Sequence, residues 1–470
     1  MADRRDDVDA WLSERINPLP PPPGTFDLIK RRARRRKIRR LAITATSAAV
    51  IVAAAVTVPQ VVNLPVLNQN PTSAAQAGHS ATATPTGPGR TESSATVPRP
   101  SSSSIAAPVP ANFRPTSVTF IGTRTGWVIG QASTPGHCAT QYCTSMARTD
   151  DGGGTWTGVP APVTGAPDGA TGVSQIRFLN LTDGWAFGPE LWVTHTGGKT
   201  WTQVNTHGLR VTDLETVGSR VFALFASCTG SGQAFAAGCT SFTLYSSPAS
   251  GNDFTPVGAA TTGLTDGAAD GAASEAASLV LTGSRGYLLA PDGTLYAGPV
   301  DGSAAWPRVG ALISSCTVGP AQLDGQPWRA LLGAVNAKEV NAEELLVACT
   351  SAGASGAATQ NKQVFSSPNG GISWLRLAQA PAAGVAYSLA GSPSGTTVLG
   401  TDRGIDVLPA DAIAWQLATL AGGGPAGGFG YVGMTTGVQG VALPADPSAG
   451  TVWFTFDGGQ TWKPFHLTGS

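Results

Sequence analysis

Formal charge is the scarcest commodity of this sequence: Asp, Glu, Lys and Arg make up only 12% of 470 residues. Helical soluble enzymes carry more. Low charge alongside 60 Gly and abundant Thr, Ser and Val favours β-structure with frequent turns. Histidine is nearly missing too. Beyond residue 110 it occurs only at His137, His195, His207 and His466. No Gly-x-Ser-x-Gly elbow, P-loop, His-Glu-x-x-His helix or dinucleotide fingerprint occurs, so the chemistries those motifs announce are not legible. Residues 111–470 hold 15 basic against 22 acidic side chains, a net of −7. That region lacks the basic surface that nucleic acid requires, and no nucleic-acid partner is expected.

Charge is absent altogether between Leu41 and Gly89. The first part of this gap, LAITATSAAVIVAAAVTV (Leu41–Val58), is apolar and just long enough to span a bilayer. It follows KRRARRRKIRR (Lys30–Arg40), in which nine of eleven residues are basic. Basic flanks stay on the cytoplasmic side, and the run also suits anionic lipid. A cleaved signal peptide is the competing reading, with Ala-rich sites near Ala53–Ala55. An n-region of 40 residues is long for that. The sequence therefore predicts a basic cytoplasmic tail (1–40), one transmembrane helix (41–58), and a linker (59–110) whose Pro, Ser, Thr and Ala predict disorder. The remainder, 111–470, is expected outside the cytoplasm.

Cysteine is missing from the first 137 residues. The six present are Cys138, Cys143, Cys228, Cys239, Cys316 and Cys349. An even count in an exported domain predicts disulfides, and the fifteen possible pairings stay open. Sequential pairing keeps each bridge local. A zinc site needs clustered ligands, which this spacing does not supply.

What the region from residue 111 does contain is short apolar or alternating runs, among them SVTFIG, GWVIG, QIRFLN, GWAFG and TVWFTF, separated by turn residues. These read as many short antiparallel strands; only Asn336–Leu346 reads as helix. Two patterns recur. An apolar residue is followed by a turn and then Gly plus an apolar residue: Phe120 to Gly126-Trp127, Phe178 to Gly184-Trp185, and weaker copies from Val280 and Met434. The second pattern is TDDGGGTW (Thr149–Trp156), with THTGGKTW (Thr194–Trp201), SPNGGISW (Ser367–Trp374) and TFDGGQTW (Thr455–Trp462). Degenerate copies end at Phe254, Trp306 and Trp415. Seven terminal aromatics at intervals of 41 to 68 residues match four-stranded propeller blades. An all-β, seven-bladed propeller is expected, with six or eight blades as alternatives. The longest interval, before Trp374, predicts an inserted loop near Gly353–Gln360.

The second pattern resembles the Asp box, or BNR repeat, of sialidases, sortilin-type receptors, some glycoside hydrolases and photosystem assembly factors. The first resembles the wider WD40/YVTN/BNR-like propeller group. The resemblance covers about residues 112–466 and implies the fold; it implies no single activity, because unrelated functions share the repeat. The tail, Ala-rich span and Arg excess over Lys (23 to 6) resemble membrane-anchored proteins of actinobacteria.

In physical terms the box is a turn. Asp151 and Asp457 are expected to accept backbone N–H groups, with Asn369 and Thr196 in the same place. Thr149, Thr194, Ser367 and Thr455 open the turns. Gly153, Gly198, Gly371 and Gly459 supply the bend, and Trp156, Trp201, Trp374 and Trp462 pack behind it. Asp150-Asp151 lacks the ligand spacing of a calcium loop. The sequence thus names no catalytic residue, metal or cofactor. A sialidase would place an arginine near the domain start, and NFRPT (Asn112–Thr116) echoes that motif without its Ile. The reading is a membrane-anchored module that binds or scaffolds a protein or a cell-surface glycan. The alternative is a glycoside hydrolase with a site built from loops at the channel.

Overall fold

The computed structural model describes residues 107–133, 142–167, 170–228, 239–258, 264–265, 277–290, 293–311, 329–334, 345–352, 360–381, 383–410 and 412–467. The tail, the apolar run 41–58, all but the last four linker residues, Cys138 and Cys316 lie outside them. Among the described residues no helix is long and apolar enough to cross a membrane.

Seven antiparallel sheets follow one another along the chain, each built from four consecutive strands. They span residues 114–159, 175–203, 210–256, 278–311, 329–376, 386–417 and 429–466, and are blades 1 to 7. The first strand of each blade lies against the first strand of the next, which makes these strands the inner ring. Blade 3 gains an edge pair, Leu264–Thr265, and blade 7 a parallel edge pair, Thr419–Leu420, from the connector before it. Among the described residues no strand is exchanged across the closure between blades 7 and 1. Instead the Phe120 ring meets Phe454 edge-on at 5.7 Å, and Gln439 Nε2 donates to the Thr123 carbonyl at 3.0 Å. Ala107 bridges Gly158, so packing begins slightly before residue 111.

Both faces of every blade are buried, which explains why the apolar runs are continuous rather than alternating. In Arg220–Cys228, Val221, Ala223 and Phe225 pack with Trp185 and Phe187 of blade 2. Phe222, Leu224 and Ala226 pack with Leu288 and Trp306 of blade 4. Seven such apolar seams separate the seven blades, and each receives one box aromatic: Trp156, Trp201, Phe254, Trp306, Trp374, Trp415 or Trp462. The aromatic spacing counts blades because each ring closes the seam with the preceding blade.

The Gly-apolar pattern has an equally direct cause. Phe120 pairs with Gly126, and Phe178 with Gly184, across the first two strands. Each phenyl ring lies over its glycine, so an added Cβ would come within 2.6 Å and 2.5 Å of it respectively.

Two local expectations need correction. Of the expected helix Asn336–Leu346, residues 336–344 lie outside the described residues, and Leu345 and Leu346 open the strand Leu345–Ala352 instead. Its side chains alternate between two seams, Leu345 facing blade 4 and Leu346 facing blade 6, and that two-sided burial mimics a helical apolar pattern. The expected insertion near Gly353–Gln360 ends one residue early, since Gln360 is already in the strand Gln360–Ser367; residues 353–359 lie outside the described set.

Candidate functional site

The box residues are the first candidates. Each box joins the third and fourth strands of its blade. In blade 1 the Thr149 Oγ1 accepts the Gly153 N–H (2.9 Å) and donates to Asp151 Oδ1 (2.8 Å). Asp151 in turn accepts the Thr155 N–H (2.9 Å) and hydroxyl (2.7 Å). Blade 7 repeats every bond with Thr455, Asp457, Gly459 and Thr461. In blade 5 Ser367 Oγ accepts the Gly371 N–H, and Asn369 accepts the Ser373 N–H. In blade 2 Thr194 Oγ1 accepts the Gly198 N–H, and Thr196 accepts that of Thr200. Acid, amide and hydroxyl thus do the same work. Gly153 and Gly459 hold φ of 98° and 92°, a region that suits glycine. The Trp156 and Trp462 indoles donate to the Gly153 and Gly459 carbonyls, whereas Trp201 donates to Pro160.

These bonds fix the electrostatics. The Thr155 N–H, then the Thr155 and Thr149 hydroxyls, hold Asp151 down to about 2. Burial pulls Asp457 upward, but the Thr461 and Thr455 donors outweigh it and its pKa is also lowered. Both carboxylates stay ionised and occupied within their own turns.

Cys228 and Cys239 form a disulfide across the hairpin that joins the second and third strands of blade 3. Cys143 and Cys349 are also disulfide-bonded, and no described cysteine is free. Among the described residues no group of three or more His, Cys, Asp or Glu is placed to hold a metal ion.

The channel holds the polar cluster that sequence reading missed. An innermost strand has one unpaired edge, which must find other partners. Here polar side chains of one blade reach the inner strand of the next. Ser117 Oγ accepts the Ile176 N–H, Asp213 Oδ2 the Leu279 N–H, and Ser388 Oγ the Val432 N–H. Ser117 and Ser388 each follow a β-bulge, and Tyr431 follows the matching bulge in blade 7. Two residues past Ser117, Gln175, Asp213, Ser278, Ser388 and Tyr431 stand Thr119, Arg177, Glu215, Val280, Ala390 and Gly433. Arg177 Nε donates to Glu215 Oε1 at 3.0 Å, with side-chain exposures of 18% and 28%. Burial, then the Glu215 charge, push Asp213 up to about 7. Burial pushes the Tyr431 phenol up, against the pull of the Arg177 charge.

Two other titratable groups sit elsewhere. Lys362 is fully buried in the seam between blades 5 and 6, where its Nζ donates to the Ala383 and Gly384 carbonyls at 2.7 Å. Burial pushes its neighbour Asp406 up to about 6. His195 Nδ1 lies 2.8 Å from Asp183 Oδ1, and its Nε2 lies 3.0 Å from Asn252 Oδ1, which clasps the box turn of blade 2 to that of blade 3.

The surface is uneven as well. First-to-second and third-to-fourth strand turns share one end of an antiparallel blade. On that end of blades 5, 6 and 7 stand five exposed large apolar side chains: Ile372, Leu375, Ile413, Val438 and Phe456. Ile372 and Ile413 occupy the same box position, two residues before the aromatic, where blades 1, 2, 3, 4 and 7 carry Gly154, Lys199, Asn252, Ala304 and Gln460.

No protein-family model matches this chain, and no curated protein does. Among solved structures it is similar to YCF48 bound to D1 peptide, at 13% identity over 76% of this chain and 93% of that one, with a TM-score of 0.42. It is similar to Saccharomyces cerevisiae Sqt1 at 11% identity, over 74% and 84%, with a TM-score of 0.43. It is also similar to the GH74 xyloglucanase from Xanthomonas campestris at 13% identity, over 75% and 72%, with a TM-score of 0.26. Likeness at this distance carries no argument about partners or activity; the chain's own seven sheets are what make it a seven-bladed β-propeller.

Proposed function

We propose that this chain is a membrane-anchored, extracytoplasmic propeller of the Asp-box, BNR-like type, of actinobacterial kind, that binds or scaffolds a protein or a cell-surface glycan. The apolar run 41–58 behind the basic tail is the anchor, and residues 59–106 are the stalk. One observation carries the binding role: the concentration of exposed aliphatic and aromatic side chains on one end of blades 5 to 7. Apolar patches on soluble surfaces mark interaction sites when they are contiguous and large, and nothing in the blade repeat requires Ile at positions 372 and 413. The test is the Ile372→Glu/Ile413→Glu double variant in the full chain. Both sites are solvent-exposed, at 77% and 94%, so thermal stability should hold while co-purification of a partner from solubilised membranes is lost. Retained co-purification at full strength would refute this surface.

A second reading, glycoside hydrolysis, is favoured by one feature. Asp213 and Glu215 lie on the same strand in the channel, one proton-retaining near neutrality and the other paired with Arg177. An acid and a base held in different protonation states are what glycosidic cleavage needs. Against it, Asp213 already accepts the Leu279 and Leu214 N–H groups. Turnover of fluorogenic glycosides that Asp213→Asn abolishes would establish this reading over the first.

A further inference from the structure

We propose that Asn369 in the blade 5 box is a self-modifying position, where the folded turn sheds ammonia from the side-chain amide and becomes the aspartate form of the box. The reaction draws nothing from the apolar surface or from the glycosidase reading, so its failure leaves both standing.

The sequence supplies the first condition. Asn369-Gly370 is the one Asn-Gly pair among 470 residues. Glycine has no Cβ to crowd its own nitrogen, so that nitrogen can close on the preceding side chain into a five-membered imide. In the same place blades 1, 2 and 7 carry Asp151-Gly152, Thr196-Gly197 and Asp457-Gly458.

The structure supplies the second. The Gly152, Gly197 and Gly458 N–H groups donate to the Arg124, Thr182 and Val438 carbonyls at 2.8, 2.8 and 2.9 Å. Each acceptor lies in the turn between the first two strands of the same blade. The Gly370 N–H makes no such bond among the described residues. A tied amide must break its hydrogen bond before the nitrogen can shed a proton and attack; Gly370 has none to break.

The third condition is electronic. Asn369 Oδ1 accepts the Ser373 N–H at 2.9 Å and the Ser367 hydroxyl at 3.0 Å. Two donors on one carbonyl oxygen draw electrons from Cγ and hold the negative charge that develops during attack. Asn369 Nδ2 donates to Ser373 Oγ at 2.9 Å, so the departing nitrogen already touches a hydroxyl that can relay a proton from solvent.

The steps balance with water alone. The Gly370 nitrogen gives its proton to solvent base and bonds to Asn369 Cγ. The Cγ–Nδ2 bond breaks, and Nδ2 takes up a proton and leaves as ammonia. Water then adds at Cγ, the new Cγ–N bond breaks, the peptide nitrogen regains its proton, and a carboxylate remains. Water adding at the backbone carbonyl of the imide would instead give isoaspartate, the main product of an unconstrained Asn-Gly. The donors on Oδ1 direct water to Cγ and so to ordinary aspartate. Blades 1 and 7 show that the turn holds that product: the Thr155 and Thr461 hydroxyls donate to Asp151 and Asp457, and the Ser373 hydroxyl has only to turn round to do the same. The result is a new negative charge on the end of blade 5 that carries Ile372.

The test is peptide mapping by mass spectrometry. The full chain in detergent is held in mildly alkaline buffer made with heavy-oxygen water, so that each conversion during the incubation carries the label. Electron-transfer fragmentation separates aspartate from isoaspartate. Asn369 should convert ahead of every other asparagine and mainly to aspartate, whereas the same chain in urea should give mainly isoaspartate there. Gly370→Ala sets a Cβ beside the attacking nitrogen and should remove the lead of Asn369. Gly370 holds φ of 70°, which disfavours alanine; if that variant does not fold, the comparison of folded and urea-treated wild type still decides. The proposal is overturned if Asn369 keeps its amide, if it converts no faster than the other asparagines, or if isoaspartate predominates in the folded ring as it does in urea.

Discussion

Replacing Thr455 by Val and Asp457 by Asn separates a turn from a reaction centre. Thr455 is fully buried, and its Oγ1 accepts the Gly459 N–H at 2.9 Å while donating to Asp457 Oδ1 at 2.9 Å. Valine keeps the shape but strands the N–H of buried Gly459. Leaving a buried donor unsatisfied costs about 1–3 kcal/mol, so Thr455→Val should destabilise by about 2 kcal/mol. Asp457→Asn is different. Its amide oxygen still accepts the Thr461 N–H, and its amide nitrogen can donate to the Thr461 hydroxyl. Blade 5 already does this, where Asn369 Nδ2 donates to Ser373 Oγ at 2.9 Å. A charged hydrogen bond becomes a neutral one on an exposed turn, a loss of about 1 kcal/mol or less. Urea unfolding read by tryptophan fluorescence measures both, and an unchanged m-value shows that the folded ring stays compact. The variants also differ with pH. A carboxylate whose folded pKa is lowered contributes stability above its unfolded pKa and loses it as pH falls through the folded value. For Asp151, lowered to about 2, that window lies between roughly pH 4 and pH 2. Asp457→Asn should remove the blade 7 share of this acid sensitivity. The reasoning is refuted if Asp457→Asn costs more than Thr455→Val, or if it abolishes an activity at unchanged stability.

Three further outcomes follow from the same geometry. Burial opposes a charge on His195, but Asp183 and Asn252 outweigh it and raise its pKa. The clasp between blades 2 and 3 should therefore be complete below about pH 6.5 and weaken as pH rises through the folded value; the amide protection factors at residues 196–200, corrected for intrinsic exchange, should fall with rising pH in the wild type and stay constant in His195→Gln. Gly184→Ala places a Cβ 2.5 Å from the Phe178 ring and should cost about 1–3 kcal/mol by overpacking; Phe178→Leu in the same chain should recover part of it, as a double-mutant cycle reads directly. Serine at both Cys228 and Cys239 opens a loop of sequence separation 11 and should lower stability by about 2–3 kcal/mol, and reductant should lower the thermal midpoint of the wild type by more than it lowers that of the variant, which keeps the bridges of Cys143 and Cys349.

The architecture was legible because the repeat unit and the packing unit coincide. Phe254, Trp306 and Trp415 survive in blades whose box letters have decayed, since a seam needs its aromatic while a turn has several chemical solutions. Thr196 and Asn369 in place of Asp make the same point within the box. The misread helix near Leu345 shows the limit: burial on two faces erases the alternation that identifies a strand. The channel cluster was invisible for another reason. Arg177 and Glu215 are 38 residues apart and meet only once blades 2 and 3 pack side by side. A faint signal existed. A polar residue stands three positions before Phe120, Phe178 and Met434, as Ser117, Gln175 and Tyr431. Aligning these blades on their Gly-apolar pairs exposes that column and, two places further on, Arg177; Glu215 lies in blade 3, which carries no such pair.

Site-specific photo-crosslinking in intact cells tests the binding surface most directly. A photoreactive phenylalanine at position 413, on the apolar end of blade 6, is compared with one at position 163, where Val163 is 75% exposed on the connector between blades 1 and 2. The account predicts a discrete adduct from position 413 that the Ile372→Glu change suppresses, and none from position 163. Equal labelling from the two positions, or no adduct from 413, would contradict it.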